Sequence, residues 1–134
     1  MARHNASPDL HSALTQRCER IRKARSTVPF RRGEHAFGMF IILRGTVRLD
    51  FGVDGAVAVA SVCGPGALVG LPATLTKRHY SMTATVMTDA ELGFLTSEAL
   101  ECLLREHPEF RQELRGVLAA KVARNDKVKK ARLQ

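Results

Sequence analysis

A chain of 134 residues with a net charge of +8 is the size of one domain. At this length roughly 70% of the unfolded surface can be buried, so neither a metal nor a disulfide staple is needed for folding. Hydrophobic residues make up 45% and charged residues 25%, which excludes disorder throughout. Unbroken apolar runs reach only five residues, as in Met39–Leu43, far short of the about 20 that a helical membrane span requires.

The charge is unevenly spread. Residues 1–32 carry eight Lys/Arg against two Asp/Glu, residues 33–104 four against seven, and residues 105–134 nine against four. Basic ends flank a mildly acidic centre. They are read either as solvated helix faces or as surfaces that meet acidic partners such as nucleic acid. Cys18, Cys63 and Cys102 are far apart and odd in number, so neither a zinc motif nor a disulfide framework is signalled. Met1–Asp9 contains no apolar core of a secretory signal, and free thiols suit a reducing compartment. A cytoplasmic protein without membrane association is expected.

Ser7-Pro8-Asp9 reads as a helix start, with Ser at the N-cap, Pro at the first helical position and an acid in the first turn. Leu10, Leu14, Cys18 and Ile21 recur at helical spacing, predicting a helix over about 8–22. The period then changes. Met39–Leu43 reads as a buried strand ended by Arg44-Gly45. Val47, Leu49 and Phe51 alternate with polar residues, Asp54-Gly55 signals a hairpin, and Ala56–Val62 is its return strand. Gly64-Pro65-Gly66 breaks the pattern. Ser81–Val86 and Ala90–Leu95 are two further strands joined at Thr88-Asp89. Ser97 is the expected cap of a helix carrying Leu100, Leu103 and Leu104, and Pro108 begins another carrying Phe110, Leu114, Val117, Leu118 and Val122. Helix, short strands, then helices make an α+β chain.

Several turns in this order resemble those of the cyclic-nucleotide-binding domain family, in particular the effector domain of Crp/Fnr-type regulators. The residues that carry the resemblance are Phe30-Arg31-Arg32-Gly33-Glu34, the strand Met39–Leu43 followed by Arg44-Gly45-Thr46-Val47, Asp54-Gly55, Gly64-Pro65-Gly66-Ala67-Leu68-Val69-Gly70, and His107-Pro108. The resemblance spans about residues 10–130. It implies one domain over 1–134: an antiparallel, jelly-roll-like β-roll (double-stranded β-helix) over about 26–95, an N-terminal helix, and C-terminal helices over about 97–132, the last of them a dimerisation helix.

The resemblance also implies a ligand site, with no metal and no certain cofactor. A cyclic nucleotide or another small anion would rest on the stretch Gly70, Leu71, Pro72 and Ala73, facing Tyr80, Ser81 and Met82, with Arg78 nearby and Asn125 reaching in from the dimer helix. Pro72 removes one N–H from that stretch. Two departures alter the site. Cyclic-nucleotide binders of the family carry a Glu for the ribose hydroxyl where this chain has Leu71, and an Arg for the phosphate where it has Tyr80; Ser81 is kept. Hydrogen bonds to charged groups contribute about 1.5–3 kcal/mol each, so losing both would weaken such a ligand by several kcal/mol. Lys77, Arg78 and His79 either restore the charge or form an exposed basic loop, and Tyr80 either lines the pocket or packs.

No catalytic motif is present: His4, His11, His35, His79 and His107 are scattered, and no Ser or Cys sits in a nucleophile elbow. The expected function is a stand-alone, non-catalytic sensor domain that binds a small anion in its altered pocket, homodimeric through Phe110, Leu114, Val117, Leu118 and Val122, and signalling to a protein partner. The alternatives are a ligand-free interaction module with a degenerate pocket, and a transcription-regulator component touching DNA through its basic ends. Sequence-specific DNA binding is not expected, because no helix-turn-helix is read. Lys127, Lys129, Lys130 and Arg132 suit non-specific phosphate contact.

Overall fold

The computed structural model describes residues 7–52 and 59–116. Helix α1 (Pro8–Arg17) opens as the sequence predicts: the Ser7 hydroxyl accepts from Leu10 N–H at 3.2 Å and Pro8 stands in the first turn. It ends earlier than predicted. Cys18 is extended and its N–H closes on Leu14 C=O. Glu19–Lys23 then forms strand β1, paired antiparallel with the last strand, β7 (Ala90–Thr96), from Glu19↔Phe94 to Lys23↔Ala90. Ile21, which fits the helical stripe of α1 in sequence, belongs to this strand. The ladder with β7 outweighs a weak local preference, as tertiary context commonly does. The strands therefore begin at Glu19 rather than near residue 26.

Between them run β2 (Gly38–Arg44), β3 (Val47–Asp50), β4 (Val59–Cys63), β5 (Leu68–Val69), a short helix α2 (Leu71–Thr76) and β6 (Thr83–Val86). Two antiparallel sheets result, ordered β1-β7-β2-β5 and β4-β3-β6. The hairpin return pairs Val47↔Cys63 through Asp50↔Val59, and the expected start of that strand at Ala56 lies outside the described residues. The expected turn at Asp54-Gly55 lies outside those residues. Helix α3 (Ser97–Glu106) is capped by the Thr96 hydroxyl, which accepts from Ala99 N–H at 3.1 Å, so Thr96 takes the role predicted for Ser97. A final helix, α4, is described over 108–116.

Strand β2 explains its own unbroken apolar run. It is buried on both faces, which requires apolar residues at every position. Met39 and Ile41 join Leu10, Leu14, Leu95, Leu100, Leu103, Leu104, Phe110 and Leu114 in a core between the first sheet and the helices. Phe40 and Ile42 join Phe30, Val47, Leu49, Ala84, Val86 and Leu92 in a second core between the sheets. Gly93 lets the helix-side core close, because a Cβ there would lie 2.5 Å from Cys18 Sγ and 2.6 Å from Ile41 Cγ2. The α+β architecture, a two-sheet antiparallel roll flanked by helices at both chain ends, is the one predicted.

Candidate functional site

The turn before α2 bends through Gly70, whose φ of +78° suits glycine. Thr74 braces it, its hydroxyl donating to Gly70 C=O at 2.7 Å. The helix it starts covers one end of the space between the sheets. A cleft remains there, walled by Leu49, Ser61 and Cys63 from β3 and β4, Leu68 and Val69 from β5, Gly70, Pro72 and Ala73 at the start of α2, Phe30, and Tyr80, Ser81 and Met82. It encloses about 50 Å³. None of these twelve residues carries a charge. The polar groups at hand are backbone, the exposed Ser81, and Ser61, whose hydroxyl lies 3.6 Å from Cys63 Sγ.

Of the predicted ligand residues, Gly70, Pro72, Ala73, Tyr80, Ser81 and Met82 come together around this cleft. Leu71 does not: it is fully buried in the helix-side core. Arg78 is exposed and does not line the cleft. Its neighbours also stay outside. Lys77 Nζ is held by Glu101 Oε1 of α3 at 2.7 Å, and His79 packs edge-on against His35. Lys77 ends α2 in a left-handed conformation, φ +55°, which directs the basic segment away. Asn125, Val117, Leu118 and Val122 lie outside the described residues. Phe110 and Leu114 are buried in the chain's own core.

Tyr80 is structural in every contact it makes. Its ring stacks on Phe30 at 4.0 Å, and its hydroxyl donates to Gly38 C=O at 2.6 Å while accepting from Phe37 and Gly38 N–H at 3.2 and 3.3 Å. Burial pushes its phenol above the ordinary range, partly offset by those two backbone donors. The side chain therefore ties the turn ahead of β2 to the segment behind α2.

Sequence reasoning missed Phe30, Leu49, Ser61, Cys63, Leu68 and Val69 as wall residues. The period-2 rule contains the signal: Leu49 lies opposite Ser61, so Ser61 and Cys63 share the inward face of Leu49. Asp50 was also missed as a buried group. Its carboxylate, almost fully covered, meets Arg48 Nε at 3.3 Å.

Comparison with known proteins accords with this geometry. The profile of the family described as "Cyclic nucleotide-binding domain" matches residues 20–107, and the chain belongs to that family. The CRP-like cAMP-activated global transcriptional regulator of Mycobacterium tuberculosis is 24% identical over 120 residues, which are 89% of this chain and 54% of the relative. The chain thus spans about half the length of the curated relatives it matches. Among solved structures, the catabolite activator protein of Thermus thermophilus superposes with a TM-score of 0.79 at 23% identity, over 92% of this chain and 58% of that one. The N-terminal domain of a transcriptional regulator from Streptomyces coelicolor A3(2) gives 0.70 at 24% identity, over 91% and 86%. No helix among the described residues is long and apolar enough to cross a membrane.

Proposed function

We propose that this chain is the non-catalytic sensing domain of a CRP-like regulator, cytoplasmic and homodimeric. A small ligand in the cleft beneath α2 would bias the helix that begins at residue 108, and that helix would pass the change to a protein partner. The observation that carries this reading is the cleft itself, framed by Gly70, Pro72 and Ser81 in a fold of the cyclic-nucleotide-binding family. A cyclic nucleotide or related small anion is the first ligand class to test. It would be met by backbone N–H groups and by the Ser81 and Ser61 hydroxyls, without a guanidinium, so its binding is expected to be weak. The dimer reading rests on Val117, Leu118 and Val122, since Phe110 and Leu114 are committed to the chain's own core.

A second reading is favoured by Tyr80: a ligand-free dimerisation or interaction module. The Tyr80 ring and hydroxyl are both engaged, and the cleft of about 50 Å³ is well below the roughly 300–1,000 Å³ of ordinary ligand pockets. Thermal shift and calorimetry against cAMP, cGMP and cyclic dinucleotides at matched ionic strength separate the two. A ligand at 100 times its Kd adds about 2.7 kcal/mol of stability, a shift of several degrees at this size. Such a shift supports the sensor; its absence with every one of them at millimolar concentration overturns it in favour of the module.

A further inference from the structure

Two histidines far apart in sequence are brought face to face outside the cleft. His35 and His79 form an isolated antiparallel bridge. The flanking hydrogen bonds run from Tyr80 N–H to Glu34 C=O and from Ala36 N–H to Arg78 C=O, each 2.9 Å. His35 and His79 are therefore directly opposed in a non-hydrogen-bonded pair, the register in which cross-strand side chains come closest. Ala36 and Tyr80 on either side are buried, while His35 and His79 are both exposed. Their ring centroids are 5.5 Å apart.

We propose that His35 and His79 form a two-histidine chelate for a divalent transition ion of the zinc, nickel or copper class. Two imidazoles on one tetrahedral ion, with metal–nitrogen bonds of about 2.0–2.1 Å, hold their centroids about 5 Å apart, close to the separation observed. The rings stand 80° to one another, and the terminal His torsion is broad enough to turn a nitrogen of each toward a shared point. Imidazole is the ligand these ions prefer. Lys77, two residues before His79, is paired with Glu101 at 2.7 Å. Among the described residues no cluster of three or more His, Cys, Asp or Glu side chains converges, so water fills the remaining coordination positions and the site exchanges its ion readily.

The position gives the ion a consequence. The chelate clips the segment that delivers Tyr80 and Ser81 to the cleft wall onto the turn that carries Phe37 and Gly38. An ion bound only by the folded chain stabilises it by mass action, and it does so in the segment that joins α2 to β6.

The test is calorimetric titration of the full chain with zinc chloride and nickel chloride, beside His35→Asn, His79→Asn and the control His107→Asn, with folding checked by circular dichroism. The expected result is a 1:1 site in the wild type and in the control, weakened at least about tenfold in each chelate variant, since losing a direct ligand costs no less than the about 10–100-fold that follows loss of an outer-shell partner. Electron paramagnetic resonance of the copper(II) form should show two bound imidazole nitrogens, and one in either variant. Equal affinity in all four proteins, or no 1:1 binding in the wild type, overturns the proposal.

Discussion

Replacing Tyr80 with Phe isolates a single hydroxyl at the edge of the candidate site. The ring and its stack on Phe30 at 4.0 Å remain, so packing is conserved. The bond to Gly38 C=O at 2.6 Å goes, together with the longer ones from Phe37 and Gly38 N–H. A typical hydrogen bond contributes about 0.5–1.5 kcal/mol net, and a buried partner left unpaired costs about 1–3 kcal/mol. The main bond is short and buried, so the expected loss is about 2–3 kcal/mol. For a domain of this size that is a fall in Tm of about 6–12 °C. Urea unfolding followed by far-ultraviolet circular dichroism reads it as a lower midpoint at unchanged slope. A loss below about 0.5 kcal/mol, within the range of ordinary surface substitutions, would refute the assignment of Tyr80 as a structural tie and return its hydroxyl to the ligand.

Tyr80 is the single tyrosine of the chain, so the phenolate absorbance reports it alone. Its titration in the folded protein should begin above the ordinary phenol range. Because the folded state holds this proton more tightly, the associated stability is full below the unfolded pKa and is lost as pH rises through the folded one; coincident titration in native and urea-unfolded protein would contradict the burial. At the acid end the sign reverses. Glu106 is held low by Arg17 and Glu101 by Lys77, both on the surface, so their contribution is present above the usual carboxylate pKa and fades as pH falls through the lowered values. It should be small and vanish in molar salt, and a large salt-resistant acid transition assigned to these pairs would contradict it. Gly93→Ala drives a Cβ to within 2.5 Å of Cys18 Sγ and should cost about 1–3 kcal/mol in urea unfolding, as overpacking does; a neutral outcome would contradict the close packing of α1's end on β7. Leu114→Ala should cost about 2–5 kcal/mol in the same assay, whereas Leu118→Glu should convert the proposed dimer to monomer in sedimentation velocity.

The architecture was legible because its strongest signals are physical necessities. A strand covered on both faces must be apolar throughout, and Met39–Leu43 is. A chain leaving a strand through positive φ favours glycine, and Gly45 and Gly70 adopt φ of +88° and +78°. What could not be read were choices decided by distant partners. Ile21 fits a helical stripe as well as a strand; only β7, some seventy residues on, selects the strand. By residue type Ser97 is a better cap than Thr96, yet the ladder of β7, running through Thr96, makes Thr96 the cap.

The site was half legible for the same reason. Sequence names which residue stands where, so the replacement of Glu by Leu71 and of Arg by Tyr80 was visible. It does not say where the replacements point. Leu71 turns into the helix-side core and Tyr80 spends its hydroxyl on the backbone of residues 37 and 38, so both positions have changed role. Together they leave a cleft without charge and a wall held by the protein's own hydrogen bonds. A phosphate entering it would exchange water for hydroxyls and backbone amides alone, with no cation to offset the desolvation of its charge. Anion affinity in this domain is therefore expected to be limited by the cleft's neutrality as well as by its small size. Raising it would require a cation within hydrogen-bond reach of Ser81, and Lys77, on Glu101, faces another surface.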